Sequence, residues 1–140
     1  LHGRTRAQGY SGKSELPMKP DLPIPIIANG DIKNIDDVEH VQKLGYDGAM
    51  IGRAILGQPW IVGQICGNCK KPENVGVVVL KHLDLVVDYY GAKSGVPMFR
   101  KHAAWYSAGV SNAAQFRIRV NQITDEQELR KIIKDFWSLD

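Results

Sequence analysis

Apolar residues follow two different rhythms along this chain, and the change near Ile65 divides it. In the first half they come as short unbroken runs. Pro25-Ile26-Ile27-Ala28 is one, closed by the turn residues Asn29-Gly30-Asp31. Gly48-Ala49-Met50-Ile51 is another, closed by Gly52-Arg53 and passing into Ala54-Ile55-Leu56. Such runs, bounded by turn signals, predict buried strands. Between them Ile35, Val38, Val41 and Leu44 recur on one face of a helix. Asn34 is placed to cap that helix, Asp36 and Asp37 suit the positive end of its dipole, and Gly45 sits where a left-handed C-terminal residue is wanted. Non-alternating strands joined through a helix are parallel strands covered by helices.

Leu1-His2-Gly3 reads as the end of a further strand, which brings the count to about three. An eight-stranded parallel barrel typically takes about 250 residues, and this chain has 140. A short parallel piece standing alone would leave an open apolar edge. The expected class is therefore α/β: the C-terminal portion of a TIM (β/α)8 barrel over residues 1–65, cut just upstream of Leu1.

The second half keeps a 3.6-residue rhythm. Val75–Lys93 places Val79, Leu80, Leu83, Val86, Val87 and Tyr90 on one side. Gly95-Val96-Pro97 opens a second helix, with Pro near its first turn, that runs through Phe99, His102, Ala103 and Tyr106 to near Gly109. Asn112–Gln122 is a shorter helix. Asp125–Trp137 is a fourth, with Thr124 as its cap and Gln127 at capping-box spacing. Residues 75–140 are thus expected to form an all-α helical domain, joined to the barrel piece by a linker at 66–74.

Composition narrows the class. The chain is 44% hydrophobic and 24% charged, as in ordinary globular domains. No apolar run approaches the roughly 18 residues of a membrane-spanning helix. Its start resembles neither a signal nor a transit peptide. Two cysteines cannot make a disulfide framework, so the cytoplasm is the expected compartment. No obligate protein partner is evident. Cys66-Gly67-Asn68-Cys69 invites a metal or redox reading, but zinc wants four ligands and no second pair exists, so the pair is expected to do neither.

Charge is uneven. Residues 1–65 hold seven basic and seven acidic residues, and residues 66–140 hold eleven and eight. Tyr89–Thr124 contains no acid and carries Lys93, Arg100, Lys101, Arg117 and Arg119. A one-signed stretch attracts polyanions. Phe99, Trp105, Tyr106 and Phe116 interleave with these cations; the aromatics read first as the core of a helix bundle, and the charges as the part that would meet RNA phosphates. His102, on the face of Phe99 and Tyr106, reads as a packed histidine.

Both glycine turns follow a strand and precede a helix. Glycine there lets the backbone approach a ligand, and a helix start offers N–H groups and a positive dipole end. Two adjacent turns can hold one phosphate, with Arg53 adding a charge-assisted contact. In closed α/β barrels the phosphate site often lies after the last two strands. The alternative is that both glycines only make tight turns.

These residues carry a resemblance. His2-Gly3-Arg4-Thr5-Arg6, Ala28-Asn29-Gly30-Asp31-Ile32, Asp47-Gly48-Ala49-Met50-Ile51-Gly52-Arg53 and Pro59-Trp60 follow in the order and spacing of the tRNA-dihydrouridine synthases. Arg100-Lys101-His102 and Trp105-Tyr106 resemble that family's helical tail. The resemblance implies an FMN enzyme, reduced by NADPH or NADH, that converts uridine in tRNA to 5,6-dihydrouridine. It implies FMN contacts from His2, Asn29, Gly30, Asp31, Gly52 and Arg53. The basic stretch, by its charge, offers Arg100, Lys101, Arg117 and Arg119 as tRNA phosphate contacts, and Arg4 and Arg6, at the matched strand end, are placed to face RNA or flavin. His2 as a strand-end histidine and Arg4 and Arg6 as solvated charges are the plain alternatives. The family's catalytic cysteine is expected upstream of Leu1, so this chain alone is expected to be inactive; Cys66 and Cys69, after the last strand, do not replace it. Gln58, where the family often has Asn, and Ser14-Glu15-Leu16 depart from its pattern. Two rivals remain at this stage. Another FMN or sugar-phosphate barrel enzyme would need the glycine turns but no basic tail, and a non-catalytic RNA-binding module would need the tail alone.

Overall fold

The computed structural model describes residues 16–140. The strand expected at Leu1–Gly3 lies outside the described residues, as do His2, Arg4 and Arg6. The chain forms two compact units. One holds the described residues up to Ile55 together with Pro59–Lys70, and the other holds Leu56–Gln58 with Lys71–Asp140.

In the first unit, β1 (Ile27–Ala28) and β2 (Gly48–Ala49) pair in parallel, Ile27 opposite Gly48 and Ala28 opposite Ala49. Both strands are shorter than the apolar runs that predict them. Flanking bonds lengthen the ladder, from Asp47 N–H to the Ile26 carbonyl at 3.0 Å and from Met50 N–H to the Ala28 carbonyl at 2.8 Å. Between the strands runs α1 (Ile35–Lys43). Two side chains tie its start: Asn34 Oδ1 accepts from Asp37 N–H at 2.9 Å, and Asp37 Oδ2 accepts from Lys33 N–H at 2.8 Å. The second bond falls one residue before the cap, so the arrangement is a relative of the capping box and not the box itself. The chain leaves α1 through Gly45, whose φ of +88° suits glycine. Ala28, Ile32 and Val41 form the buried centre, with Leu16, Val38, Tyr46, Ala49 and Ile51 packed on it. The strand–helix–strand unit is therefore present as expected.

After β2 the expected helix is a single 3₁₀ turn, Arg53–Ile55. Gly57 at φ +79° and Pro59 stop it from propagating. A one-turn element follows later, α2 (Ile61–Ile65).

The second unit is four helices: α3 (Val75–Tyr90), α4 (Ala92–Tyr106), α5 (Ala113–Gln122) and α6 (Glu126–Trp137). Val79 and Leu83 of α3, Val96, Phe99 and Ala103 of α4, Phe116 and Val120 of α5, and Leu129, Ile132 and Ile133 of α6 are buried. Truncating Leu83 or Leu129 to Ala costs about 2–5 kcal/mol by the usual cavity argument. Phe116 stacks on Phe136 at 4.1 Å and meets the edge of Trp137 at 5.2 Å.

Two boundaries differ from the sequence reading. The first helix ends at Tyr90 rather than Lys93, and the next begins at Ala92 rather than at Gly95-Val96-Pro97. Gly91, at φ +73° and ψ +157°, makes the break in one residue. Gly95 instead lies inside α4, where a Cβ would stand 3.1 Å from the Val86 carbonyl, so it lets α3 and α4 approach closely. The cap of α6 is Asp125, which accepts from Glu128 N–H at 2.8 Å, not Thr124. A carboxylate is the stronger acceptor and sits better against the helix dipole.

Candidate functional site

Because β1 and β2 are parallel and in register, the segments leaving them emerge at the same edge. Asn29-Gly30-Asp31 follows β1, and Met50-Ile51-Gly52-Arg53 follows β2. The left-handed residue of the first turn is Asp31, at φ +53°, rather than Gly30. A Cβ at Gly30 would make ordinary contact with Leu16 at 3.5 Å, whereas one at Gly52 would meet nothing within 4 Å among the described residues. Gly52 is thus the bare, approachable backbone of the pair, and Gly30 is partly covered.

Asp31 joins the two turns. Its Oδ1 lies 3.1 Å from Arg53 Nη2, and its Oδ2 lies 2.6 Å from Lys33 Nζ. The hydrogen-bonded Lys33 ammonium, with Arg53 beside it, holds the Asp31 carboxyl below its ordinary value. One carboxylate thus faces two cations at the strand ends. The Arg53 side chain is 60% exposed there. The start of α1 contributes less than expected, since Asn34 and the buried Asp37 already bind the N–H groups of Asp37 and Lys33.

The basic stretch of the second unit divides by role. Arg100 donates through Nε at 3.0 Å and through Nη2 at 2.5 Å to the carbonyl of Ile123, tying α4 to the end of α5. Lys101 and Arg119 are exposed, and Arg117 is half-buried. Arg119 borders a cavity of about 170 Å³ with Gln122, Ile123, Glu128 and Ile132. Arg117, two residues earlier, lies about 200° away around α5. The cations therefore do not share one face. The interleaved aromatics divide too: Phe99, Tyr106 and Phe116 are buried core residues, and Trp105 is half-buried.

His82 was not singled out by the sequence reading. Its Nδ1 stands 3.1 Å from Tyr106 Oη, and its ring lies 4.8 Å from His102 and 5.2 Å from Phe99. Burial lowers the pKa of His82; burial, then His82 and Lys101, lower that of His102. Burial raises Tyr106. The cluster is a packing unit in which burial disfavours the charged form of each ring. The spacing of Val79, His82, Leu83 and Val86 on one helix face was the signal that marks His82 as inward.

Cys66 and Cys69 are exposed free thiols just after α2. Among the described residues, no group of three or more His, Cys, Asp or Glu could hold a metal ion. Among the same residues, no helix is long and apolar enough to cross a membrane.

A family model described as dihydrouridine synthase matches residues 1–138. A probable tRNA-dihydrouridine synthase of Rickettsia typhi is 40% identical over 98% of this chain and 46% of its own length. The tRNA-dihydrouridine synthase B of Pseudomonas syringae pv. tomato is 36% identical over 99% of this chain and 45% of its own length. A probable tRNA-dihydrouridine synthase of Helicobacter pylori is 40% identical over 99% and 44%. The chain spans about half the length of the curated relatives it matches.

Proposed function

The chain belongs to the dihydrouridine synthase family, and from that premise we propose that it supplies the phosphate end of an FMN site and a docking surface for tRNA. One observation carries the reading: Arg53, Lys33 and Asp31 gather at adjacent parallel strand ends, beside the open backbone of Gly52. That donor set fits a phosphate. Arg53 and Lys33 neutralise it, Gly52 lets it approach the main chain, and Asp31 holds the two cations in place without touching it. Asn29 and Gly30 shape the first turn. Bound FMN, recharged by NADPH or NADH, would supply the hydride that reduces uridine.

Docking of the RNA falls to Lys101, Arg117 and Arg119, which neutralise backbone phosphates and release counterions. Arg100 contributes by fixing α4 against the end of α5. A basic helical unit carried on the same chain as the Gly52–Arg53 turn favours this reading over a flavin or sugar-phosphate barrel that handles only small substrates.

The test is a hybrid joining this chain to the portion of the Rickettsia typhi relative that it does not span. The hybrid is expected to retain FMN on purification and to form dihydrouridine in a tRNA transcript when given NADPH or NADH. The 140-residue chain alone is expected to form none. A folded hybrid that neither holds flavin nor binds tRNA counts against the reading.

A further inference from the structure

The two thiols sit in a loop whose geometry is set by the end of α2. Cys66 closes the helix with φ −79° and ψ −1°, and Gly67 then reverses the chain at φ +69°. Gly67 N–H bonds to the Gln64 carbonyl at 3.1 Å, and Asn68 N–H bonds to the Gly63 carbonyl at 2.8 Å. This is the paired pattern of a Schellman end. Cys69 N–H reaches the same Gly63 carbonyl at 3.2 Å. So folded, the chain lays Cys69 back along the helix. A Cβ built on Gly63 would fall on Cys69 Sγ, and the Cys69 thiol donates to the Trp60 carbonyl at 3.4 Å.

Gly63 and Cys66 are three positions apart on one helix, where neighbouring Cβ positions lie about 5–6 Å from each other. The sulfur of Cys69 thus occupies the side-chain place next to Cys66. A disulfide needs Cβ atoms about 3.5–4.5 Å apart, so closure asks the Cys69 side chain to leave the Gly63 slot and the Gly67–Cys69 loop to bring it toward Cys66. Both thiols are exposed to a soluble oxidant. We propose that Cys66 and Cys69 form a reversible dithiol–disulfide couple, with bare Gly63 as the slot that brings Cys69 within reach of Cys66.

The chemistry is exchange with a low-molecular-weight disulfide such as glutathione disulfide. The thiolate of one cysteine attacks a glutathione sulfur and expels one glutathione thiolate, leaving a mixed disulfide. The second cysteine's thiolate attacks the protein sulfur of that mixed disulfide and expels the other glutathione. Two protein thiols are oxidised, one glutathione disulfide is reduced to two thiols, and the two cysteine protons pass to them. Closure removes the thiol donor from the Trp60 carbonyl. That carbonyl still accepts Gln64 N–H at 3.0 Å, so α2 survives oxidation.

The test equilibrates the 140-residue chain in reduced and oxidised glutathione at several ratios, followed by acid quench, maleimide trapping and intact mass. Both thiols are expected to disappear together, giving a monomer two hydrogens lighter without a glutathione adduct. Cys66→Ser and Cys69→Ser are each expected to accumulate a stable glutathione adduct instead. Gly63→Ala, folded by circular dichroism, is expected to lose the internal disulfide in favour of adducts. Should that variant not fold, the two serine variants and the parent still decide. A parent that yields only adducts, only disulfide-linked dimers, or two independently reacting thiols overturns the couple. A folded Gly63→Ala that closes as readily as the parent overturns the slot.

Discussion

Arg53 and Asp31, twenty-two positions apart in sequence, meet at 3.1 Å across the ends of β1 and β2. The bond links two turns that a phosphate would have to touch together. Arg53→Ala in the hybrid is expected to weaken FMN retention by about 1.5–3 kcal/mol, the worth of a charge-assisted contact. Asp31→Asn, which keeps the shape but loosens the hold on Arg53 and Lys33, should give a smaller loss. Flavin fluorescence during titration measures both, and undiminished retention by Arg53→Ala would place the phosphate elsewhere.

Arg100 is expected to behave as a structural residue. Arg100→Ala leaves the carbonyl of buried Ile123 without its two donors, at a cost of about 1–3 kcal/mol. Arg100→Lys should not recover this, because an ammonium cannot reproduce the two-pronged contact. Denaturant unfolding of the 140-residue chain reads the loss directly. Equal stability of parent and Ala variant would return Arg100 to the set of candidate RNA contacts.

Arg117 and Arg119 point in different directions, so their contributions to tRNA binding are expected to differ. Each phosphate contact removed should lower the log–log salt slope by somewhat under one unit, roughly 0.7–0.9. Arg117→Ala and Arg119→Ala made separately, and then together, should show which one carries the contact, with FMN content unchanged. If the double variant matches the parent in affinity and slope at every salt concentration, both are solubilising charges.

Acid should weaken the helical unit through His82 and His102. Both have pKa values below the ordinary one in the fold, so the unfolded chain binds more protons as pH falls. Their contribution is complete above the unfolded value of about 6.5 and is lost as pH drops through the lower folded values. Unfolding midpoints measured from neutral to mildly acid pH should fall over that range. His102→Gln should flatten the dependence, and an unchanged profile would mean that another group titrates.

Gly57→Ala is expected to be among the more damaging single-methyl changes in the chain. At φ +79° an L side chain is strained, and the added Cβ would collide with the Trp105 carbonyl. The backbone term alone is about 1–2 kcal/mol. A thermal melt checks it, and a melting temperature equal to the parent's would mean that the segment shifts freely.

Local signals were the legible ones. Asn34 at the start of α1, Gly45, and the inward Val79 and Leu83 of α3 all depend on residues a few positions apart, and each appears where the sequence puts it. The sequence puts the helix break at Gly95-Val96-Pro97 because glycine and proline there look like a helix start, and residue type does not report that Gly91 is the one at positive φ. The swap of Thr124 for Asp125 as a cap was a choice between adjacent acceptors that spacing alone does not make. The candidate site was half legible. Residue types at the two turns suggested a phosphate, but the roles within them did not follow: the strained residue is Asp31, the open glycine is Gly52, and Lys33 joins Arg53. Arg100 looked like a free cation because its partner carbonyl lies 23 positions away. Long-range pairing of this kind leaves no mark on composition or period.

The place of residues 56–58 bears on how this protein can be taken apart. The chain passes from the first unit into the second at Leu56, returns at Pro59, and passes over again at Lys71. The helical unit is therefore not a cassette that begins where its first long helix begins. Exchange between relatives that moved only residues 71–140 would leave Trp105 facing a foreign loop where Gly57 had been. Recombination between family members is expected to tolerate crossovers ahead of Leu56 better than crossovers in the 66–74 stretch, although the latter looks like the natural seam.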